Sequence, residues 1–116
     1  MKVGFVGLGI MGAPMAGHLQ KGGHDLYLHD LAPDLPTDLL AGGAIACDSN
    51  KAVAEAADVV ILMVPDTPDV EAALFGTNGV ADGLRAGQLV IDMSSISPTA
   101  TTNFAARIND LGCLYL

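Results

Sequence analysis

The chain has few aromatic residues, few cations and two cysteines, and each shortage narrows its possible roles. Aromatic residues make up 4% of its 116 residues, and tryptophan is absent. Five Lys and Arg against 13 Asp and Glu give a formal net charge of −8, which repels phosphate backbones and argues against nucleic acid as a partner. Cys47 and Cys113 form no CxxC or zinc spacing, so we expect two reduced, buried thiols.

Long apolar runs and leader-like segments are also missing. No run approaches the roughly 20 residues of a membrane span, and Met1-Lys2 leads directly into a short apolar segment, unlike a signal peptide. Apolar residues nevertheless make up 51% of the chain, and its length suits one domain. We therefore expect a single cytoplasmic domain over residues 1–116, with no membrane partner.

Apolar runs alternate with helical patterns along the whole chain. Strands are predicted over 2–6, 25–29, 44–47, 58–64, 88–92 and 113–116. Helices are predicted over 10–20, 33–40, 50–57, 68–75 and 98–111. Asp48-Ser49, Thr67 and Ser97 are the expected N-caps, the last two because a proline follows each. The alternation predicts an α/β protein with a doubly wound parallel sheet in three α/β/α layers, truncated at its sixth strand.

The fourth predicted strand has no polar break between residues 59 and 64. A strand that is apolar on both faces is typical of the middle of a covered parallel sheet. We therefore expect this strand at the centre of the sheet.

A glycine-rich turn joins the first strand to the first helix, with the sequence Gly7-Leu8-Gly9-Ile10-Met11-Gly12. GxGxxG alone is a weak signal, but here a strand precedes it, a helix follows it and an acid ends the next strand. Its three glycines would allow the tight turn, leave room for a pyrophosphate and let the helix approach the sheet, while free helix N–H groups hold the phosphates. This predicts a Rossmann-type dinucleotide site; the alternative is a turn without a ligand.

Asp30 distinguishes between two dinucleotides. It ends the second predicted strand, 18 residues after Gly12, near the usual spacing of about 20. A carboxylate there accepts hydrogen bonds from the adenosine ribose and repels the 2′-phosphate of NADP. No Arg or Lys lies between Lys21 and Lys51 to neutralise that phosphate. We predict NAD as cofactor in preference to NADP; the alternative is that Asp30 is a solvated loop acid.

Other polar residues give weaker signals. The three histidines lack a metal-ligand spacing, so no metal site is predicted, and His29 is at most a border of the adenine pocket. Asp66 and Asp69 fit acids that complement a helix dipole, with the edge of the cofactor as the alternative. Ser94 and Ser95 are expected to be hydrogen-bond donors in the turn after the fifth strand.

Three segments resemble the β-hydroxyacid dehydrogenase family. Residues 5–16, FVGLGIMGAPMA, are similar to the family's opening signature, and residues 91–98, IDMSSISP, to its second signature. Val64-Pro65 is similar to the dipeptide that follows the fourth strand there. The resemblance covers essentially the whole chain. Its nearest branch is that of the 2-hydroxy-3-oxopropionate (tartronate semialdehyde) reductases, followed by the 3-hydroxyisobutyrate dehydrogenases.

The resemblance implies an NAD-dependent oxidoreductase that interconverts a small 3-hydroxy acid and its semialdehyde. It implies that the glycine-rich turn wraps the pyrophosphate, Asp30 holds the ribose and Ser95 lies near the nicotinamide. The implied cofactor-binding residues are Gly7, Leu8, Gly9, Ile10, Met11, Gly12, Asp30, Val64, Pro65 and Ser95. No catalytic residue is assigned, because the family's catalytic Lys lies in a helical domain beyond Leu116, and Lys2, Lys21 and Lys51 fit surface positions.

Two hypotheses follow for the chain itself. It is either the cofactor-binding portion of a homo-oligomeric reductase, inactive alone, or a stand-alone NAD-binding module without catalysis. We expect the first, because the sixth strand lacks a stop signal. Removal of the family's helical domain would expose apolar surface, so we also expect the chain either to self-associate or to be only marginally stable.

Overall fold

One parallel sheet organises the chain. The computed structural model describes residues 1–30, 37–64, 66–94 and 98–116. The strands are β1 Lys2–Val6, β2 Asp25–His29, β3 Ile45–Ala46, β4 Val59–Leu62, β5 Leu89–Asp92 and β6 Leu114–Tyr115. They are ordered β3-β2-β1-β4-β5-β6, and all neighbours are parallel. This is the Rossmann order, which reverses between β1 and β4, so the predicted α/β fold is confirmed.

Helices connect the strands. They are α1 Gly9–Lys21, α2 Thr37–Ala41, α3 Asn50–Ala56, α4 Thr67–Phe75, α5 Val80–Gly83 and α6 Pro98–Asn109. Helix α5 was not predicted, because four residues are too few to show a helical period. Residues 33–36 of the predicted second helix, and the predicted cap Ser97, lie outside the described residues. None of the helices in the described part of the chain is long and apolar enough to cross a membrane.

The predicted caps are partly right. The hydroxyl of Ser49 accepts a hydrogen bond from the Ala52 amide at 3.1 Å, as expected. At α4 the prediction of Thr67 was wrong, since Asp66 is the N-cap and its carboxylate accepts from the Thr67 amide at 2.7 Å. Asp66 has the extended backbone of a cap (φ −152°), which leaves Thr67 as the first helical residue.

Apolar residues cover both faces of the sheet, and β4 shows why its sequence has no polar break. Val60 and Leu62 contribute to one core and Ile61 to the other, while β4 pairs with β1 on one side and β5 on the other. The first core includes residues of α3, α4, α5 and α6, namely Val53, Ala54, Val70, Ala73, Leu74, Val80, Phe104 and Ile108. The second includes Ala16 of α1 and Leu39 of α2. The chain thus forms three layers, with a central β4 as predicted.

Gly4 lets helix α3 lie close to the centre of the sheet. A Cβ on Gly4 would lie 2.4 Å from Cγ1 of Val53 and 3.1 Å from Cβ of Ala57. Both neighbours are fully buried. The absence of a side chain at Gly4 therefore sets the distance between the sheet and helix α3.

Candidate functional site

The turn after β1 is held between the ends of its two neighbouring strands. The amide of Gly7 donates to the carbonyl of His29 at 3.0 Å, and the amide of Met63 donates to the carbonyl of Val6 at 3.0 Å. The backbone ladders therefore continue past the ends of β1 and β4. This is also where the strand order reverses, which is where ligands bind in open α/β sheets.

Gly7 is required in this turn for two separate reasons. Its φ is +74°, in the left-handed region that favours glycine. A Cβ at Gly7 would also lie 2.6 Å from the carbonyl oxygen of Met63 and 2.6 Å from Cγ1 of Val64. The turn can therefore lie against the segment that follows β4 only if residue 7 has no side chain.

Asp30 lies against the same turn. The backbone amide of Leu8 donates to Oδ2 of Asp30 at 2.9 Å, and the Leu8 side chain is buried. Leu8 is the N-cap residue of α1 but has no side-chain acceptor, and the first turn of α1 contains no acid. A helix start of this kind suits an anionic ligand, so the residues present fit a pyrophosphate.

The other predicted binding residues are described only in part. The backbone from Gly9 to Gly12 forms the start of α1, one residue earlier than predicted. The side chains of 9–13, and Pro65 and Ser95 as a whole, lie outside the described residues. The structure thus brings together Gly7, Leu8, Asp30 and Val64.

A second group of polar residues connects the ends of β4, β5 and β6. The amide of Ser94 donates to Oδ1 of Asp92 at 2.8 Å, and the hydroxyl of Tyr115 donates to Oδ2 at 2.5 Å. The hydroxyl oxygen of Ser94 accepts from the amide of Val64 at 2.9 Å, whereas we expected Ser94 to donate. Burial, and then the bond to Asp92, raise the pKa of Tyr115, so its hydroxyl is a neutral donor at pH 7.

Part of this group was detectable in the sequence. An Asp at the end of a strand is typical of a turn in which the carboxylate accepts from the backbone amide two residues on, as Asp92 does from Ser94. Tyr115 gave no such signal, because its contact with Asp92 comes from the neighbouring strand.

The other residues considered as candidates are histidines and cysteines, and their contacts are those of ordinary structural residues. Nδ1 of His29 lies 3.0 Å from the carbonyl oxygen of Cys47, while His18 is exposed. Both cysteines are free thiols; Cys113 is buried and Cys47 half-buried. Burial, and then the nearby Asp48, raise the pKa of the Cys47 thiol, which makes it a poor nucleophile.

Comparisons with known proteins agree with this geometry. Residues 2–116 match the family model of the NAD binding domain of 6-phosphogluconate dehydrogenase. 2-Hydroxy-3-oxopropionate reductase from Escherichia coli is 47% identical over 116 residues, covering 100% of this chain and 39% of that protein. Mitochondrial 3-hydroxyisobutyrate dehydrogenase from Mus musculus is 36% identical over 114 residues, covering 98% of this chain and 34% of that protein.

Similarity extends to solved structures. Psf3 in complex with NADP+ and 2-OPP has a TM-score of 0.90 at 26% identity, covering 97% of this chain and 40% of that chain. The resemblance based on three sequence segments is confirmed. The chain spans less than half the length of each of these three proteins.

Proposed function

The chain belongs to the family of the NAD binding domain of 6-phosphogluconate dehydrogenase, and on this basis we propose which of its residues hold NAD(H). The glycine-rich turn, residues 7–12, holds the pyrophosphate through the backbone amides that follow Leu8, because those of Gly7 and Leu8 donate to His29 and Asp30, and Asp30 binds the adenosine ribose. The observation that carries the proposal is the 2.9 Å bond from the Leu8 amide to Asp30, because it places the acid beside the turn.

We propose a preference for NAD(H) over NADP(H). A carboxylate at the end of β2 accepts from the ribose hydroxyls and repels a 2′-phosphate. Neither Arg nor Lys occurs between Lys21 and Lys51, so the sequence around Asp30 offers no cation for that phosphate. The complex of Psf3 with NADP+ indicates that a closely similar fold accommodates the other cofactor, so the preference depends on local residues such as Asp30.

We assign the nicotinamide end of the cofactor to the half of the sheet that contains β4, β5 and β6. Asp30 follows β2, whereas Val64, Pro65 and Ser95 follow β4 and β5, across the reversal of strand order. A dinucleotide bound across the reversal places its two ends on the two halves. We therefore propose that Val64, Pro65 and Ser95 line the nicotinamide side.

The activity proposed for the whole enzyme is hydride transfer between NAD(H) and a small 3-hydroxy acid or its semialdehyde. When bound, the nicotinamide supplies or accepts the hydride. The higher identity to the E. coli reductase favours 2-hydroxy-3-oxopropionate over 3-hydroxyisobutyrate as the substrate.

We assign no proton-transfer residue to this chain. Lys2 is exposed at the start of β1 and Lys21 is exposed at the end of α1. Both lie at the amino ends of the strands, whereas the glycine-rich turn lies at their carboxyl ends. We therefore expect the chain alone to bind NADH without reducing 2-hydroxy-3-oxopropionate. Turnover by the chain alone would contradict this assignment.

Location and assembly are further proposals. The two free thiols fit a reducing compartment, so we propose the cytoplasm. The homo-oligomeric state of the whole enzyme is proposed from the family resemblance alone. The exposed leucines Leu111, Leu114 and Leu116, at and beside the edge strand β6, support self-association of the chain itself. Sedimentation of the chain tests this, and a monomer at all concentrations would contradict it.

Calorimetric titration with NADH tests the proposed binding site. We expect one NADH per chain, and we expect ADP-ribose to compete, because the turn and Asp30 contact the part that both ligands share. Failure of both ligands to bind would contradict the proposal.

A further inference from the structure

Three hydrogen bonds in series cross the half of the sheet opposite Asp30. The Tyr115 hydroxyl and the Ser94 amide occupy the two oxygens of Asp92, and the Ser94 hydroxyl accepts from the Val64 amide. Both carboxylate oxygens of Asp92 therefore already have donors within the protein. This arrangement suits a residue that orients its neighbours better than one that transfers protons.

The bonds connect β6 to the segments that follow β4 and β5. The backbone ladder between β4 and β5 reaches one residue beyond β5, where the Met93 amide donates to the carbonyl of Leu62, the last residue of β4, at 2.9 Å. The side-chain bonds continue the connection to Val64 and Ser94, which immediately precede Pro65 and Ser95.

We propose that Tyr115 and Asp92 are positioning residues for the nicotinamide half of the site, acting through Ser94 on Val64. This rests on the proposed function, which assigns Val64, Pro65 and Ser95 to that half. An O–H donor to a carboxylate is among the stronger hydrogen bonds, so Tyr115 restrains the Asp92 side chain that holds the Ser94 turn. Asp92 and Tyr115 are only half-buried, so water can replace a lost hydroxyl and the fold should persist.

The test compares NADH with ADP-ribose, which lacks the nicotinamide. We expect Tyr115→Phe and Ser94→Ala each to weaken NADH binding about fivefold, the cost of one ordinary hydrogen bond, and to leave ADP-ribose binding unchanged. Tyr27→Phe is the matched control, because Tyr27 is the other tyrosine of the chain, lies in β2 and has no hydroxyl partner among the described residues. It should change neither affinity.

Hydrogen exchange of backbone amides gives a local measurement in addition to the binding affinities. The Val64 amide should exchange faster in Ser94→Ala and in Tyr115→Phe than in wild type, while amides of β1 keep their rates. If Tyr115→Phe does not fold, Ser94→Ala gives the same comparison.

The outcomes separate this inference from the proposed function. Equal weakening of NADH and ADP-ribose, or no weakening of either, in variants of a wild type that binds both would overturn the positioning role alone. A wild-type chain that binds neither ligand would overturn the proposed function and this inference together.

Discussion

The backbone amide of Leu8 donates a hydrogen bond of 2.9 Å to Oδ2 of Asp30, across 22 positions of sequence. The acid that we assign to the ribose is therefore also a structural part of the glycine-rich turn. Substitution of Asp30 acts on two things at once, the recognition of the ribose and the shape of the turn. The two effects are separable because an amide side chain retains an acceptor for Leu8.

Asp30→Asn and Asp30→Ala should differ in a defined way. Asp30→Asn keeps an acceptor for the Leu8 amide but removes the charge that repels a 2′-phosphate, so the preference for NADH over NADPH should shrink. Asp30→Ala removes the acceptor as well and should weaken NADH binding by about 2 kcal/mol, roughly thirtyfold. Calorimetry with both cofactors measures this. An Asp30→Asn variant with the wild-type preference would argue against a role for the charge.

Gly7→Ala should abolish NADH binding, whereas Gly23→Ala should not. Both glycines have positive φ, +74° and +92°, so each substitution strains the backbone by about 1–2 kcal/mol. Only at Gly7 would the new Cβ meet the Met63 carbonyl; at Gly23 no heavy atom lies within 4 Å. Urea unfolding and NADH titration of both variants separate strain from site damage. NADH binding by Gly7→Ala at wild-type strength would refute the close approach.

Gly4→Ala should destabilise the chain by about 1–3 kcal/mol, the usual cost of overpacking a core. The new Cβ would lie 2.4 Å from Cγ1 of Val53. Val53→Ala removes that atom, so the double variant should be more stable than the sum of the single effects allows, by at least about 0.5 kcal/mol. Urea unfolding of the four proteins gives the coupling, and strict additivity would show that the two positions do not meet.

Stability at alkaline pH should depend on Tyr115. Burial and the bond to Asp92 raise its pKa above the ordinary value of 10.0. A raised pKa means that the folded chain keeps a proton that the unfolded chain loses, so this stabilisation is complete below pH 10 and declines as the pH rises towards the folded pKa. The free energy of unfolding, measured from pH 8 to 11, should fall more steeply with pH in wild type than in Tyr115→Phe. Parallel curves would contradict the assignment.

Local patterns predicted the six strands and five of the six helices, since each of these elements depends on residues close in sequence. The unbroken aliphatic run from Val59 to Val64 indicated a central strand, and Gly7 with Asp30 indicated the site. What was missed depends on contacts between distant residues or on short elements. The Leu8–Asp30 and Tyr115–Asp92 bonds join separate strand ends, and α5 has four residues. At α4 two good cap residues stand side by side, and a pattern alone did not choose Asp66 over Thr67.

The dissociation constants of the wild-type chain for NADH and NADPH, measured under one set of conditions, test the central claim most directly. We predict that NADH binds at least about tenfold more tightly, a difference of ~1.4 kcal/mol, because Asp30 accepts from the ribose hydroxyls and repels the 2′-phosphate. Equal or tighter binding of NADPH would contradict the account of Asp30 and, with it, the assignment of this turn to NAD(H).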